Sequence, residues 1–596
     1  MYQNSTGQIK LSGFVSEKFG INKGTEQGHP LSPDLFKIYI RDLSPLLDHE
    51  NCPRLLNQLI SHLLWADDLI LLALDPETLQ KQLDTLNKFC IQWGVEINID
   101  KTKLMKFNSK FCQNEQANFT IGKHSIAEVD SYCYLGIEIH NSGTFNQARA
   151  ELKKKAMRAL YALKSTVNKS KLTFRSLTTL FDSLIKPIVL YGAPICTPTM
   201  SIIKHITKGS NLTDDINTNA QANIIKKVSL LNCEKVHLHF LKWALGVNRK
   251  ATNAGIWGDS GRYPLIYESI NLTLKYTQRL HNLNDGSLVS LAFQEQRNLN
   301  LDWYRGLAPI LKQDPCFSVD HVTAFNLKNK KHGEPASSNH PTAMRIPKED
   351  FLIHNGIRKR IPSQSIPTNG SKTFTPHVIL KSMETSFKES WKLYINSSQK
   401  LEFYRNLKSN FGKESYLDHV TRYMDRANTT RLRISAHRLE IELGRYSKIP
   451  RTDRLCSWCN LVMNAQKVEN EEHFLNYCDL NAVARQEVLR KINAMASTSC
   501  DGTSTKQTIG LDTNLVKLIS DNKDTLTSPT NESQIHLARI ISRYITSCFN
   551  NRKRFLESTS ANPYPIALPE PRATFNNNYS SHAILGELAP STNIST

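Results

Sequence analysis

The chain has 596 residues, with 75 Lys and Arg against 54 Asp and Glu, giving a formal net charge of +21. That length asks for more than one domain, and hydrophobic and charged fractions of 40% and 22% exclude a fibrous or wholly disordered chain. The cationic excess points to a polyanionic partner, nucleic acid before membrane.

Twelve cysteines in so long a chain do not make a disulfide scaffold. Cys90, Cys196 and Cys548 stand in apolar surroundings and read as buried free thiols, whereas Cys456, Cys459 and Cys478 cluster. This usage fits a reducing, intracellular setting. Residues 1–10 are polar and lack the apolar core of a signal sequence. No stretch reaches the ~18 uninterrupted apolar residues that suggest a membrane span, so no membrane partner is expected.

In chain order, residues 24–33 form a loop dense in Gly and Pro that opens a helix. Ser32 suits the N-cap and Pro33 the first helical position. Gly28 would let the backbone approach a phosphate or sugar closely. Residues 63–72 then place Asp67 and Asp68 inside an otherwise apolar run, which reads as a β-hairpin with the pair at its tip. Carboxylates held there are hard oxygen ligands suited to Mg²⁺; an ordinary Asp-Asp turn between core strands is the other reading. Asp75-Pro76-Glu77 starts a helix in good order. Leu79, Leu83, Leu86, Cys90 and Trp93 form its buried stripe, and Gly94 ends it. Residues 95–99 alternate as a strand, residues 100–102 turn, and residues 104–107 make a second strand.

This order resembles the palm of a reverse transcriptase, specifically that of non-long-terminal-repeat retrotransposons. Gln27-Gly28, Leu31-Ser32-Pro33 and Leu35-Phe36 resemble the family's Q-G-x-P-L-S-P-x-L-F segment. Trp65-Ala66-Asp67-Asp68 resembles its [Y/F]-x-D-D box, with Trp65 in place of Tyr or Phe. Asn98 through Lys101-Thr102 resembles N-x-x-K-T, and Tyr134-Leu135-Gly136 resembles the turn that positions the primer.

The resemblance implies RNA-directed DNA synthesis by two-metal phosphoryl transfer, with Asp67 and Asp68 as Mg²⁺ ligands and RNA template and DNA primer or target as partners. Lys101 would protonate the leaving pyrophosphate or contact phosphate. Gln27, Gly28, Trp65, Asn98, Tyr134, Leu135 and Gly136 would line the substrate and primer, with Trp65 packed at the hairpin base. In the family a further Asp lies on an earlier strand. Asp34, Asp42 and Asp48 are the only Asp residues before Asp67, and none stands in such a segment. The expectation is therefore an N-terminally truncated chain, lacking fingers and first catalytic Asp, that does not polymerise alone. A non-enzymatic nucleic-acid-binding protein derived from a retrotransposon is the alternative. The family implies nuclear and cytoplasmic residence, although no targeting signal is evident.

Residues 132–140 resemble the palm-to-thumb strand. Residues 146–190 carry basic helical stretches with Arg149, Lys153, Lys154, Lys155 and Arg158, suited to a duplex backbone or simply to a solvated face. Residues 201–230 are polar, a long loop or linker. His237 and His239 lack partner cysteines nearby and read as structural.

Residues 431–444 pattern as one amphipathic helix ended by Gly444, with Arg431, Arg433 and Arg438 on it and Arg445 following. These four arginines are the candidate nucleic-acid contacts. Cys456, Cys459, His473 and Cys478 then make a Cys-x₂-Cys…His-x₄-Cys set suited to tetrahedral structural Zn²⁺. Glu469, Glu471 and Glu472 precede His473 and are candidates to orient it. The stretch resembles the C-terminal cysteine-histidine module of the same retrotransposon class.

The expected fold is α+β: a partial right-hand palm over 1–140, thumb-like helices over 141–200 and a helical connector over 201–330. A linker over 331–375, a helical C-terminal region over 376–558 with the zinc module at 456–478, and a disordered tail over 559–596 complete it.

Overall fold

Among the described residues, strands pair only two at a time. The computed structural model describes residues 6–21, 24, 28–107, 118–196, 224–283, 286–311, 351–354, 357–360, 375–498, 515 and 531–559. They fall into two compact units. One holds residues up to His437 with those of Lys517–Arg539; the other holds Arg438–Val516 with Ile540 onward.

The first unit opens with short hairpins around one helix. Strands His62–Trp65 and Asp68–Leu71 pair antiparallel, with Trp65 opposite Asp68. The Pro76–Trp93 helix follows, as its caps dictate: Asp75 Oδ1 accepts from the Thr78 amide at 2.8 Å, and Gly94 closes it at φ +64°. Its apolar face supports two small clusters, one of Leu43, Leu47, Leu86, Phe89 and Cys90, the other of Leu83, Phe119 and Ile121. Gln82, fully buried, donates to the Leu47 and Ser61 carbonyls at 3.0 and 3.2 Å. It thereby ties the helix to the neighbouring loop and hairpin.

Three local expectations shift. Ser32 begins its helix rather than capping it, with Leu31 at the cap. Residues 95–99 form no ladder; Val95 and Ile97 turn inward without a partner strand, and only Lys103–Leu104 pairs, in parallel with Ala127–Glu128. Residues 132–140 are a hairpin, Ser131–Tyr134 with Ile137–His140, because Leu135 and Gly136 both take positive φ and reverse the chain.

The remainder of the first unit is helical. Asn146–Thr166 buries Ala148, Leu152, Ala156 and Leu160. A second helix runs from Phe174 through a π turn at Phe181–Ile185 to Val189. One hydrophobic cluster extends from Ala156 to Ala436 and includes the fully buried Trp257 and Trp391. The Pro376–Ser397 helix inserts Ile379, Met383, Phe387 and Trp391 into it, and Trp391 Nε1 donates to the Ala254 carbonyl at 2.8 Å. Residues 376–437 thus belong to the first unit's core, not to a separate region running to 558.

The single helix read over residues 431–444 is two. Tyr423–Arg433 stops where Ser435 turns left-handed at φ +50° and the Ala436 amide reaches the Arg431 carbonyl at 2.8 Å. Glu440–Tyr446 is the next helix, and Gly444 lies inside it. A Cβ on Gly444 would stand 2.6 Å from the Arg454 side chain, so packing, not termination, explains this glycine. Within the expected 331–375 linker an antiparallel hairpin pairs Phe351–His354 with Ile357–Arg360. Residues 224–228, read as loop, are helical. The other parts of those two linkers and the tail from 560 lie outside the described residues.

The second unit packs the Ala482–Thr498 helix and the helix from Ile540 to Ser558 around the cysteine cluster. Phe474 meets Phe549 and Trp458 meets Phe555, each with ring centres 5.0 Å apart. Among the described residues no helix is long and apolar enough to cross a membrane.

Candidate functional site

The turn of the 62–71 hairpin is two residues long, and Ala66 takes φ +53° within it. That geometry throws Asp67 and Asp68 outward, and both carboxylates are exposed. Trp65 is 66% exposed beside them rather than packed at the hairpin base: its strand position points it to solvent. The second hairpin turn stands close by. Burial, and then the Asp68 carboxylate, push the Tyr134 hydroxyl above its ordinary range. The 134–136 turn is held from behind. Tyr191 Oη donates to the Leu135 carbonyl at 2.8 Å, and a Cβ on Gly136 would meet the Tyr191 ring at 3.1 Å. Leu135 and Gly136 sit at φ +47° and +80°. The part played by Tyr191 escapes sequence reading, since it joins positions 56 residues apart.

Asn98 and Lys101 lie on one exposed turn. Asn98 Oδ1 accepts from the Lys101 amide at 3.0 Å, and Thr102 Oγ1 donates to the Asn98 carbonyl at 2.8 Å. The Asn98 side chain is engaged in building that turn. Among the described residues no hydrogen bond or ion pair joins Lys101 to Asp67 or Asp68. Gly28 adopts φ +90°, while Gln27 lies outside the described residues.

The pair suits a hard cation in chemistry and exposure, since two adjacent carboxylates face solvent without competing ion pairs. Among the described residues no third ligating group converges on them; the one such group of three or more is the cysteine–histidine cluster.

In that cluster Cys456, Cys459, His473 and Cys478 are buried, and their ligating atoms lie within 4.8 Å of one another. The Cys456 and Cys478 sulfurs are 3.8 Å apart, and Cys459 Sγ is 3.4 Å from His473 Nε2. A tetrahedron with metal–sulfur bonds of about 2.3 Å has edges of about 3.8 Å, so the set fits Zn²⁺. The Cys478 hydrogen bond, outweighing burial, holds the Cys456 thiol down at about 4; burial pushes Cys459 up to about 11. Cys456 caps the Ser457–Val462 helix, and Asn470 Oδ1 accepts from the His473 amide at 2.7 Å. Glu469 is taken up elsewhere: it accepts from Arg552 Nε at 2.7 Å and from the Glu440 amide at 2.7 Å.

The four arginines are not equivalent. Arg433 is fully buried and paired with Asp259 at 3.3 Å and Glu414 at 2.7 Å, which removes it from any nucleic-acid surface. Tyr416 Oη adds a bond to Asp259 at 2.9 Å, and Lys408 pairs with Glu414. Arg431 donates to the Gly246 carbonyl at 2.8 Å and to Asn428 at 3.0 Å. Arg445 pairs with buried Glu442 at 3.0 Å, and Arg438 is exposed. The helical periodicity placed Arg433 on an outer face; the break at Ser435 and the carboxylates of distant segments put it inside. His237 is buried between Glu234, at 3.0 Å, and Arg262, which donates to its Nε2 at 3.3 Å. On the Asn146–Thr166 helix Lys154, Lys155 and Arg158 are exposed, Lys153 is half-buried, and Arg149 is held by the Cys196 carbonyl and Asn146.

Residues 5–139 match the family model described as reverse transcriptase (RNA-dependent DNA polymerase). A transposon-derived protein of Caenorhabditis elegans is 31% identical over 144 residues, 23% of this chain and 49% of that protein. The Pol polyprotein of the type-2 retrotransposable element of Drosophila melanogaster is 30% identical over 149 residues, 24% of this chain and 14% of its own length. The RNA-directed DNA polymerase of the mobile element jockey, also from Drosophila melanogaster, is 23% identical over 203 residues, 32% and 21% of the two chains. The matched stretches thus span about half or less of these relatives. Residues 5–139 of the chain are therefore similar to reverse transcriptases, among them those of retrotransposable elements.

Proposed function

We propose that this chain carries the palm, thumb and zinc-bearing portion of a retrotransposon reverse transcriptase, and that it binds template and primer but does not extend them by itself. The observation that carries the reading is the exposed Asp67–Asp68 tip beside Tyr134, inside the region that matches the reverse transcriptase family. Asp67 and Asp68 would hold Mg²⁺, which when bound activates the primer hydroxyl and neutralises charge on the leaving pyrophosphate. The Leu135-Gly136 turn, braced by Tyr191, would set the primer end; Lys101 would contact phosphate from its exposed turn. The metal chemistry calls for a further carboxylate, and among the described residues Asp67 and Asp68 are joined by no third ligand.

Primer extension by the purified chain with Mg²⁺ and an RNA template tests this. Binding without extension is expected. Template-dependent synthesis that disappears in Asp68→Asn would keep the site and overturn the inactivity; synthesis that survives the substitution would overturn the site itself.

A second reading, a nucleic-acid-binding protein without catalysis, is favoured by the Cys456, Cys459, His473, Cys478 set and the net charge of +21. Within it, Zn²⁺ would order the second unit and the exposed Arg438 would be a basic contact.

A further inference from the structure

A group of basic side chains on the first unit is distinct from the residues around the Asp pair. It gathers where the Asn146–Thr166 helix ends, beside the Lys169–Lys171 turn and the last turn of the Asn232–Ala244 helix. Lys164, Lys169 and Lys242 are half-buried there and Arg249 is exposed. Among the described residues none of the four is paired with a carboxylate. Their amines contact rings and carbonyls instead. Lys164 Nζ stands 5.7 Å from the Tyr161 ring centre and 5.6 Å from that of Trp243. Lys169 Nζ stands 5.7 Å from Trp243 and 4.8 Å from Tyr423, and it donates to the Trp243 carbonyl at 3.4 Å. Lys242 donates to the Arg249 carbonyl at 2.8 Å. Tyr161, 51% exposed, meets His239 edge to face at 5.6 Å.

We infer that this corner is a binding site for a single-stranded stretch of RNA or DNA, with phosphates on Lys164, Lys169, Lys242 and Arg249 and a base on Tyr161. Half-buried cations crowded together without counter-charge cost stability, and a phosphodiester backbone supplies that counter-charge. Interleaved aromatic rings add the stacking surface that a single strand uses and a duplex does not. The electrostatics agree. Burial first, and then Arg249 and Lys169, hold Lys164 down at about 8; burial and Lys400 do the same for Lys242. Burial, then Lys164, Arg249 and Lys242, hold His239 down at about 4. Among the described residues no carboxylate is a cause of any of the three shifts. The site is separate from the palm and does not rest on the reading of Asp67 and Asp68.

The test is fluorescence anisotropy of the full chain with labelled oligothymidylate and oligouridylate of about 20 nucleotides, over a range of salt. Lys164→Gln with Lys242→Gln should weaken binding about tenfold or more and flatten the salt dependence by about 0.7 per lost phosphate contact. Tyr161→Leu should weaken it by about fivefold or more through lost stacking. The double variant should melt no earlier than the parent, because it relieves repulsion; a side chain with a purely structural role would show the opposite. The His239 ring should take up a proton on binding, seen as a shift of its NMR titration toward higher pH. Unchanged affinity in the double variant would overturn the site. So would an equal loss in Lys154→Gln with Lys155→Gln, which marks a diffuse basic surface. Competition by phosphatidylserine vesicles with Tyr161→Leu silent would assign the corner to a membrane surface instead.

Discussion

The hairpins and the helices of the first unit solve the same problem at different scales. From Ala156 to Ala436 one hydrophobic core runs unbroken, closed by tryptophans and a buried ion network. Among the described residues between Thr6 and His140 no strand has more than one partner, and the core is two small clusters on one helix. Its apolar side chains are correspondingly open: Leu11 is 73% exposed and Phe14 83%. Two-stranded ladders are marginal by themselves, so these hairpins depend on a few fastenings, namely the Asp75 cap, Gln82 and Tyr191. The contrast teaches where rigidity ends: the paired carboxylates Asp67 and Asp68 ride on the thinly supported portion, and the helices carry the stability.

The largest effect lies outside both portions and serves as their reference. Removing one ligand from the second unit, as in Cys478→Ser, or stripping metal with a chelator should cost that unit several kcal/mol, since structural zinc sites bind with about 10–16 kcal/mol. Hydrogen exchange should rise around residues 456–478 while both portions of the first unit stay protected, with zinc content measured alongside. Exchange unchanged on metal loss would remove zinc as a structural element.

Arg433→Ala comes next and probes the helical portion. It leaves Asp259 and Glu414 buried beside Lys408 without the guanidinium that pairs with both, and should cost about 3–5 kcal/mol in denaturant unfolding. A loss below about 1 kcal/mol would mean that water reaches this network and that the core is not closed.

Acid should divide the two portions more gently. Burial, and then Arg297, hold His281 at about 4 in the folded helices, below its ordinary 6.5. Its contribution is complete above pH 6.5 and fades as pH falls through about 4, because the unfolded chain takes the proton first. After allowance for solvent screening this is worth about 1 kcal/mol. His281→Gln should flatten that limb of the stability–pH curve, and a curve of unchanged shape would contradict the placement of the ring.

The same contrast explains which features are legible in the sequence. The Pro76–Trp93 helix and the 62–71 hairpin declare themselves because their signals are local: a cap, a period of 3.6, a two-residue turn. The Cys456, Cys459, His473 and Cys478 set is equally local, with a spacing that suits a metal. Arg433 could not be placed, since its carboxylates come from positions 259 and 414. Nor could the membership of residues 376–437 in the first unit, which depends on Trp391 finding Ala254. Long-range packing overrode patterns that were individually sound.

Tyr191→Phe tests a single fastening of the hairpin portion. It removes one hydrogen bond to the Leu135 carbonyl and keeps the ring against Gly136, so about 1 kcal/mol is expected. The loss should show as faster amide exchange confined to residues 131–140, with global unfolding barely moved.

The smallest effect is the sharpest discriminator between the portions. Phe14→Ser and Leu11→Ser remove large apolar side chains, yet both positions are mostly exposed, so each should change stability by less than about 0.5 kcal/mol. In the helical core the same kind of truncation, Leu241→Ala, should cost about 2–5 kcal/mol, because Leu241 is fully buried and leaves a cavity. Both are read from the same denaturant curves, so the ratio is independent of any absolute scale. Should Phe14→Ser cost as much as Leu241→Ala, then Phe14 is covered in solution, by another copy of the chain or by a partner. A dependence of that cost on protein concentration would separate the two, since only self-association responds to dilution of the chain alone.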